Sequence, residues 1–231
     1  MSDHFPDDET LRSALSLAVR APSVHNSQPW QWRLGELSLH LYANPDLLLP
    51  HTDPDGRDLM LSCGAALNHC VVALAALGWQ CRVPRLPNTA EPTHLAALEL
   101  YPHPAVDLDV TLAAAIPRRR TDRRHYSSWP VPRADIALMG ARAAGVGVIL
   151  HRVDDLIGLR TLIAEAAFRH GSDRGYVAEL ATWSGRYAST AGVPARSVPG
   201  AAGGAPIPVR AFAGGVLRQA PNTEPADDNA V

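Results

Sequence analysis

Two polar segments carry residue types that could do chemistry. The first is Ala21-Pro-Ser-Val-His-Asn-Ser-Gln-Pro-Trp30, in which Ser23, Asn26 and Gln28 gather a hydroxyl and two amides between the backbone restraints of Pro22 and Pro29. Such donors and acceptors suit the edge of a planar heteroaromatic ligand. They equally suit the plainer task of satisfying a helix end and a turn, and spacing alone favours that task. The second segment is Arg118-Arg-Arg-Thr-Asp-Arg-Arg124. Arginine forks match phosphate oxygens in pairs, and a threonine hydroxyl can donate to the same group. In an extended backbone Arg119, Thr121 and Arg123 project from one side. A solvated charge run or a nonspecific nucleic-acid patch is the commoner use of such a segment.

Other chemistries are excluded more firmly. No Gly-x-Ser-x-Gly elbow surrounds Ser23, and no acid partner for His25 is identifiable, which argues against a hydrolase. Gly145-x-Gly147 lacks a third glycine and precedes a strand pattern where the dinucleotide fingerprint follows one. Cys63, Cys70 and Cys81 show no zinc spacing, so no metal is expected, and as an odd set they cannot all pair. All 21 positive residues of the 231-residue chain are arginine, so mechanisms that need a lysine, such as a Walker loop or a pyridoxal imine, are ruled out. With 46% apolar and 19% charged residues and a net charge of −2, the composition is that of a globular chain with no general pull toward nucleic acid. The longest apolar run, Cys70 to Trp79, is about half of the ~20 residues a membrane span needs, and the N-terminus is acidic where a signal peptide is basic. A reduced, cytoplasmic protein is expected.

These segments need elements to position them. Asp7 or Asp8 can cap a helix carrying Leu11, Leu15 and Val19 and ending before Pro22. Trp30–Leu34 and Leu37–Leu41 alternate as a β-hairpin. A long, mostly buried helix is predicted from Arg57 to Leu77, with Leu59, Cys63, Leu67, Val71 and Leu74 on one stripe and Gly78 as C-cap. Strands follow at Trp79–Val83 and His94–Leu100, then a short helix over Asp109–Ile116. Beyond the arginines, the pattern gives a helix over 133–144, a strand over Val146–Val153 and a helix over Asp154–His170 with Leu156, Leu159, Ile163 and Ala167 on one face. From Gly192 onward, six glycines and six prolines in forty residues read as loop or extended arm.

Together the two segments carry a family resemblance. APSVHNSQPWQW resembles the Ala-Pro-Ser-x-x-Asn-x-Gln-Pro-Trp segment of the FMN-dependent nitroreductase superfamily, and IPRRRTDRRHYSSWPVP is similar to its Arg-Arg-Ser-x-Arg motif. The reversed order of the motifs resembles the two-repeat, Acg-like branch of NAD(P)H nitroreductases, in which one polypeptide mimics the family's homodimer. The resemblance implies an α+β, nitroreductase-like fold of central helices on a mixed or antiparallel sheet. It implies a first repeat over 1–115, and over 116–231 a second that is incomplete, because relatives of this branch extend further.

The same resemblance implies FMN as cofactor. Arg119, Arg120, Thr121 and Arg123 would hold its phosphate end, with Arg124 as the alternative to Arg123, while Pro22, Ser23, Asn26, Gln28 and Trp30 would line the ring. No side chain is expected to be catalytic, since the flavin carries hydride from NAD(P)H to a nitroaromatic or quinone-type acceptor. The partners implied are that small-molecule acceptor and, within the chain, an internal pseudo-dimer, with homo-oligomerisation open and neither nucleic acid nor membrane involved. The alternative is a flavin-sequestering protein of the same fold, with weak or no turnover.

Overall fold

Asp7 starts the first helix, its carboxylate accepting the Thr10 amide at 2.8 Å, and this bond holds the carboxyl below its usual range. Helix α1 (Asp8–Ala18) turns Leu11, Ala14 and Ala18 inward. The computed structural model describes residues 5–124, 130–186 and 191–198, which divide between two units, Met1–Thr121 with Ser189–Gly192 and Asp122–Ala188 with Val193–Val231.

In the first unit, β1 (Trp30–Leu34) and β2 (Ser38–Ala43) form the expected hairpin, pairing Trp30 with Ala43 and Leu34 with Leu39. Gly35 leaves room at the turn for the Ser38 and His40 side chains, since a Cβ there would sit 2.9 Å from Ser38 Oγ and 3.1 Å from His40 Nε2 and one of them would have to shift. Then come α2 (Arg57–Ala76), β3 (Trp79–Arg82), β4 (His94–Pro102) and α3 (Asp107–Ala115). The four strands make one antiparallel sheet in the order β1-β2-β4-β3, with a register shift at Leu41 and Tyr42 of β2, which pair with Ala96 and His94 and leave Leu95 of β4 as the extra residue.

Helix α2 packs between α1 and this sheet. Its buried line is Cys63, Ala66, Cys70, Ala73 and Leu74, whereas Leu59, Leu67 and Val71 of the expected stripe are half-buried. Small side chains on α2, with Ala14 and Ala18 on α1, permit close approach of the two helices. Length and composition alone would let α2 cross a membrane, as they would many core helices. It ends as predicted, with Gly78 in the left-handed region at φ 88°. Leu39, Leu41, Leu74 and Leu98 are fully buried, each contributing roughly 1.5–3 kcal/mol.

The other face of β2 is polar. Ser38 Oγ lies 2.8 Å from His40 Nε2, and His40 Nδ1 lies 3.0 Å from His94 Nε2. Tyr42 stacks on His94 at 4.4 Å between ring centroids, with Arg33 above Tyr42. Burial, and then the proximity of His94, lower the His40 pKa.

The second unit contains α4 (Arg133–Gly145), α5 (Leu156–Ser172), α6 (Arg174–Trp183) and a short parallel pair, β5 (Ser184–Arg186) with β6 (Val193–Pro194). The strand expected over Val146–Val153 is not formed. A strand needs a ladder partner, and among the described residues none flanks this stretch; Gly147 turns at φ 80° and Ile149 is 77% exposed. Nor is α5 buried along its expected face: Leu156, Leu159 and Ile163 are half-buried and Ala167 is exposed. Burial falls instead on α6, whose Tyr176 and Leu180 turn inward after Asp173 caps it by accepting the Gly175 and Tyr176 amides. The Gly/Pro-rich arm lies outside the described residues from position 199 onward.

Candidate functional site

Three residues later than α1 ends, the chain enters the Pro-Ser loop. Ser23 leads a single 3-10 turn, its carbonyl accepting the Asn26 amide and its Oγ accepting the Gln28 amide, each at 3.0 Å. His25, Asn26 and Gln28 adopt φ of 50°, 57° and 53°. Left-handed backbone at three non-glycine positions costs of order 1 kcal/mol or more apiece and persists only where the surroundings enforce it. Two braces do so. Ser62 on α2 accepts the Val24 amide at 3.3 Å while donating to the Asp58 carbonyl at 2.6 Å. Asn26 and Gly192 bond reciprocally, Asn26 Nδ2 to the Gly192 carbonyl and the Gly192 amide to the Asn26 carbonyl, both at 3.2 Å.

The start of α2, and with it Ser62, is fixed by Asp53. This buried carboxylate accepts the Asp58 amide at 3.0 Å and the Leu59 amide at 2.7 Å. Below the loop, the Pro29 carbonyl accepts the Asn44 amide and the Cys63 thiol, and Trp30 is part of the hydrophobic core. Pro22 is exposed, and Ser23, Asn26 and Gln28 are half-buried.

The arginine motif arrives at the same place. After α3, a 3-10 turn over Ile116–Arg118 delivers Arg119, whose Nη2 donates to the Arg20 carbonyl at 3.1 Å and whose Nη1 donates to Thr121 Oγ1 at 3.2 Å. Its Nε is buried without an acceptor. Arg120 Nη1 donates to the Pro117 carbonyl at 2.6 Å and to that of Arg119 at 2.8 Å, and Arg20 Nη2 reaches the same Pro117 oxygen at 3.4 Å. Burial, followed by the charges of Arg120 and Arg20, lowers the Arg119 pKa, although a guanidinium remains charged. Nearby on α2, His69 is held low by burial and then by Arg119, partly offset by a hydrogen bond with the Leu17 backbone. Its buried Nδ1 has no partner.

Thus the fold brings Arg119, Arg120 and Thr121 to the stretch that leads into Pro22 and Ser23, across 99 residues of sequence. Trp30 stands apart in the core, and Arg123 is half-buried in the second unit. Arg124 is committed to Asp122 through contacts of 2.5 to 3.1 Å, and these draw the Asp122 carboxyl down to about 2. Sequence reasoning missed Arg20, Asp53, Ser62, His69 and Gly192. Only Asp53 carried a readable signal, an acidic residue shortly before a helix; the others act through long-range contacts.

The arrangement offers a cationic cluster beside a braced polar loop. No family model matches the chain. It is 56% identical over 230 residues to Rv3131 of Mycobacterium tuberculosis strain H37Rv, a protein named provisionally as an NAD(P)H nitroreductase, covering 100% of this chain and 67% of that one. Acg of the same strain, named in the same way, is 34% identical over 207 residues, which are 87% of this chain and 62% of Acg. A solved nitroreductase family protein from Streptococcus pneumoniae aligns with 58% of this chain and 90% of its own at 16% identity and a TM-score of 0.37, too distant to bear on the fold. By its identity to Rv3131 over its whole length, the chain belongs to the nitroreductase family.

Proposed function

We propose that this chain binds FMN and works as an NAD(P)H-dependent oxidoreductase that reduces nitroaromatic or quinone-type acceptors. The observation that carries the reading is the bond from Arg119 to the Arg20 carbonyl, which joins the arginine motif to the stretch leading into the Pro-Ser loop in one polypeptide. The residues present fit a phosphorylated flavin. Arg119 keeps a buried Nε–H without an acceptor, and Arg20, Arg118, Arg119 and Arg120 make no ion pair among the described residues, so a phosphate would meet uncompensated donors.

When bound, FMN would supply the two-electron chemistry that no side chain of the site offers. Arg119, Arg120 and Thr121 would hold the phosphate, and Pro22, Ser23, Asn26 and Gln28 would face the ring. Ser23 Oγ, whose acceptor role goes to the Gln28 amide, retains its O–H for donation. The braced loop would present its groups with little ordering left to do, which favours both affinity and a fixed electrostatic environment.

The test is the visible spectrum of the purified chain with added FMN, followed by anaerobic addition of NADH or NADPH. Bound flavin that bleaches and then recovers with a quinone supports the proposal. Flavin that binds but stays oxidised under excess reductant would make this a sequestering protein, and failure to take up FMN would refute both readings.

A further inference from the structure

The arginines after α3 are met by one that no motif contains. Arg20 leaves the end of α1 and places Nη2 on the Pro117 carbonyl oxygen that also receives Arg120 Nη1, so two guanidinium forks converge on a single neutral atom. The backbone carbonyl of the same Arg20 holds Arg119. Elsewhere the chain places carboxylates against its arginines, as in Arg12 with Asp8, Arg82 with Glu99 and Arg124 with Asp122. Among the described residues no carboxylate reaches Arg20, Arg119 or Arg120. Backbone carbonyls orient these cations without neutralising them, and the neutral His69 beside Arg119 adds no negative charge. Arg20 and Arg120 are exposed, so water screens their repulsion, and a multivalent anion arriving there would meet charges that no carboxylate has already compensated. The orphaned, buried Nε–H of Arg119 is a donor still waiting for such an oxygen.

We propose that Arg20 binds the phosphate dianion of the cofactor directly, as a third arm with Arg119 and Arg120 that the end of α1 supplies. This rests on the flavin reading above. It adds that the stretch before the Pro-Ser loop recognises phosphate and not only the ring.

The experiment compares FMN with riboflavin, which lacks the phosphate, in the full chain and in Arg20→Ala. A charge-assisted contact of this kind corresponds to roughly ten- to a hundredfold in affinity. Arg20→Ala is expected to lose that factor for FMN and to leave riboflavin unchanged, and Arg20→Lys recovers part of it. The Arg20 side chain makes one long hydrogen bond, so thermal unfolding of the apoprotein should not move. Equal losses for both flavins, or no loss for either, would overturn the assignment. If the wild-type chain binds no flavin, the flavin reading fails by itself, and calorimetry with inorganic phosphate decides the rest. Phosphate binding abolished by Arg20→Ala then upholds the anion site, and absent or unaltered binding sinks it.

Discussion

Removing the Asp53 carboxylate should loosen the site from a distance. Asp53 does the work of an N-cap side chain for α2, because the residue at the cap position itself is Gly56, which has no side chain to offer. Asp53 accepts two amides at 3.0 and 2.7 Å while buried. Each hydrogen bond to a charged group contributes about 1.5–3 kcal/mol, but part is recovered when water reaches freed amides at a helix end, so Asp53→Ala is expected to lose about 3 kcal/mol. A domain of this size melts with roughly 4 °C per kcal/mol, giving a fall of about 12 °C in the transition of the first unit. Trp30, Trp32 and Trp79 lie in that unit, so tryptophan fluorescence together with circular dichroism follows it. Asp53→Asn keeps one carbonyl acceptor and should lose about half as much. Because α2 also carries Ser62, FMN affinity should weaken alongside. A fall in Tm below about 3 °C for the alanine variant, or equal damage from alanine and asparagine, would refute the capping role.

Further outcomes follow from other groups. Ser62→Ala strands the Val24 amide and should destabilise the loop by about 1–2 kcal/mol, read as faster exchange of that amide with little change in global Tm. His40 and His69 are both held neutral by the fold, with pKa values lowered first by burial. The unfolded chain therefore takes up protons that the folded chain refuses once pH drops below about 6.5, and the urea midpoint should fall between pH 7.5 and 5.5. A double His40→Gln, His69→Gln variant should flatten that slope, and an unchanged slope would count against the assignment. Burial pushes the Cys63 and Cys81 thiols up to about 12 and raises Cys70 as well, with Cys81 adding to the last. A thiol-exchange reagent at pH 8 should label none in the native chain and all three in guanidinium; rapid native labelling would contradict the packing.

Legibility in the sequence followed the range of the forces. α1, the hairpin and α2 were readable because a capping aspartate, alternation and a glycine stop are local signals, and their bounds agree within about two residues. Val146–Val153 misled, since its β-branched pattern says that a strand is affordable and nothing about a partner to pair with. α6 escaped because Asp173 closes one helix and opens the next with no gap between them. At the site, the two motifs were visible as chemistry, whereas Arg20, Ser62 and Gly192 belong to it only through contacts spanning 97, 38 and 166 residues. Trp30 reads in sequence as part of the loop, yet its bulk is drawn into the core by the hairpin register that pairs it with Ala43.

The reciprocal bond between Asn26 and Gly192 also sets an order of events during synthesis. At roughly 5–20 residues per second, the 166 residues between them take on the order of ten to thirty seconds to emerge from the ribosome. Helix α1, the sheet and α2 can assemble well before then, since their contacts lie upstream. The left-handed turn at Asn26 has the local Ser23 bonds and Ser62 from the start, and gains its reciprocal clamp only when a late stretch of chain comes back to it. A nascent chain thus passes through an interval in which its scaffold is complete and its Pro-Ser loop is not.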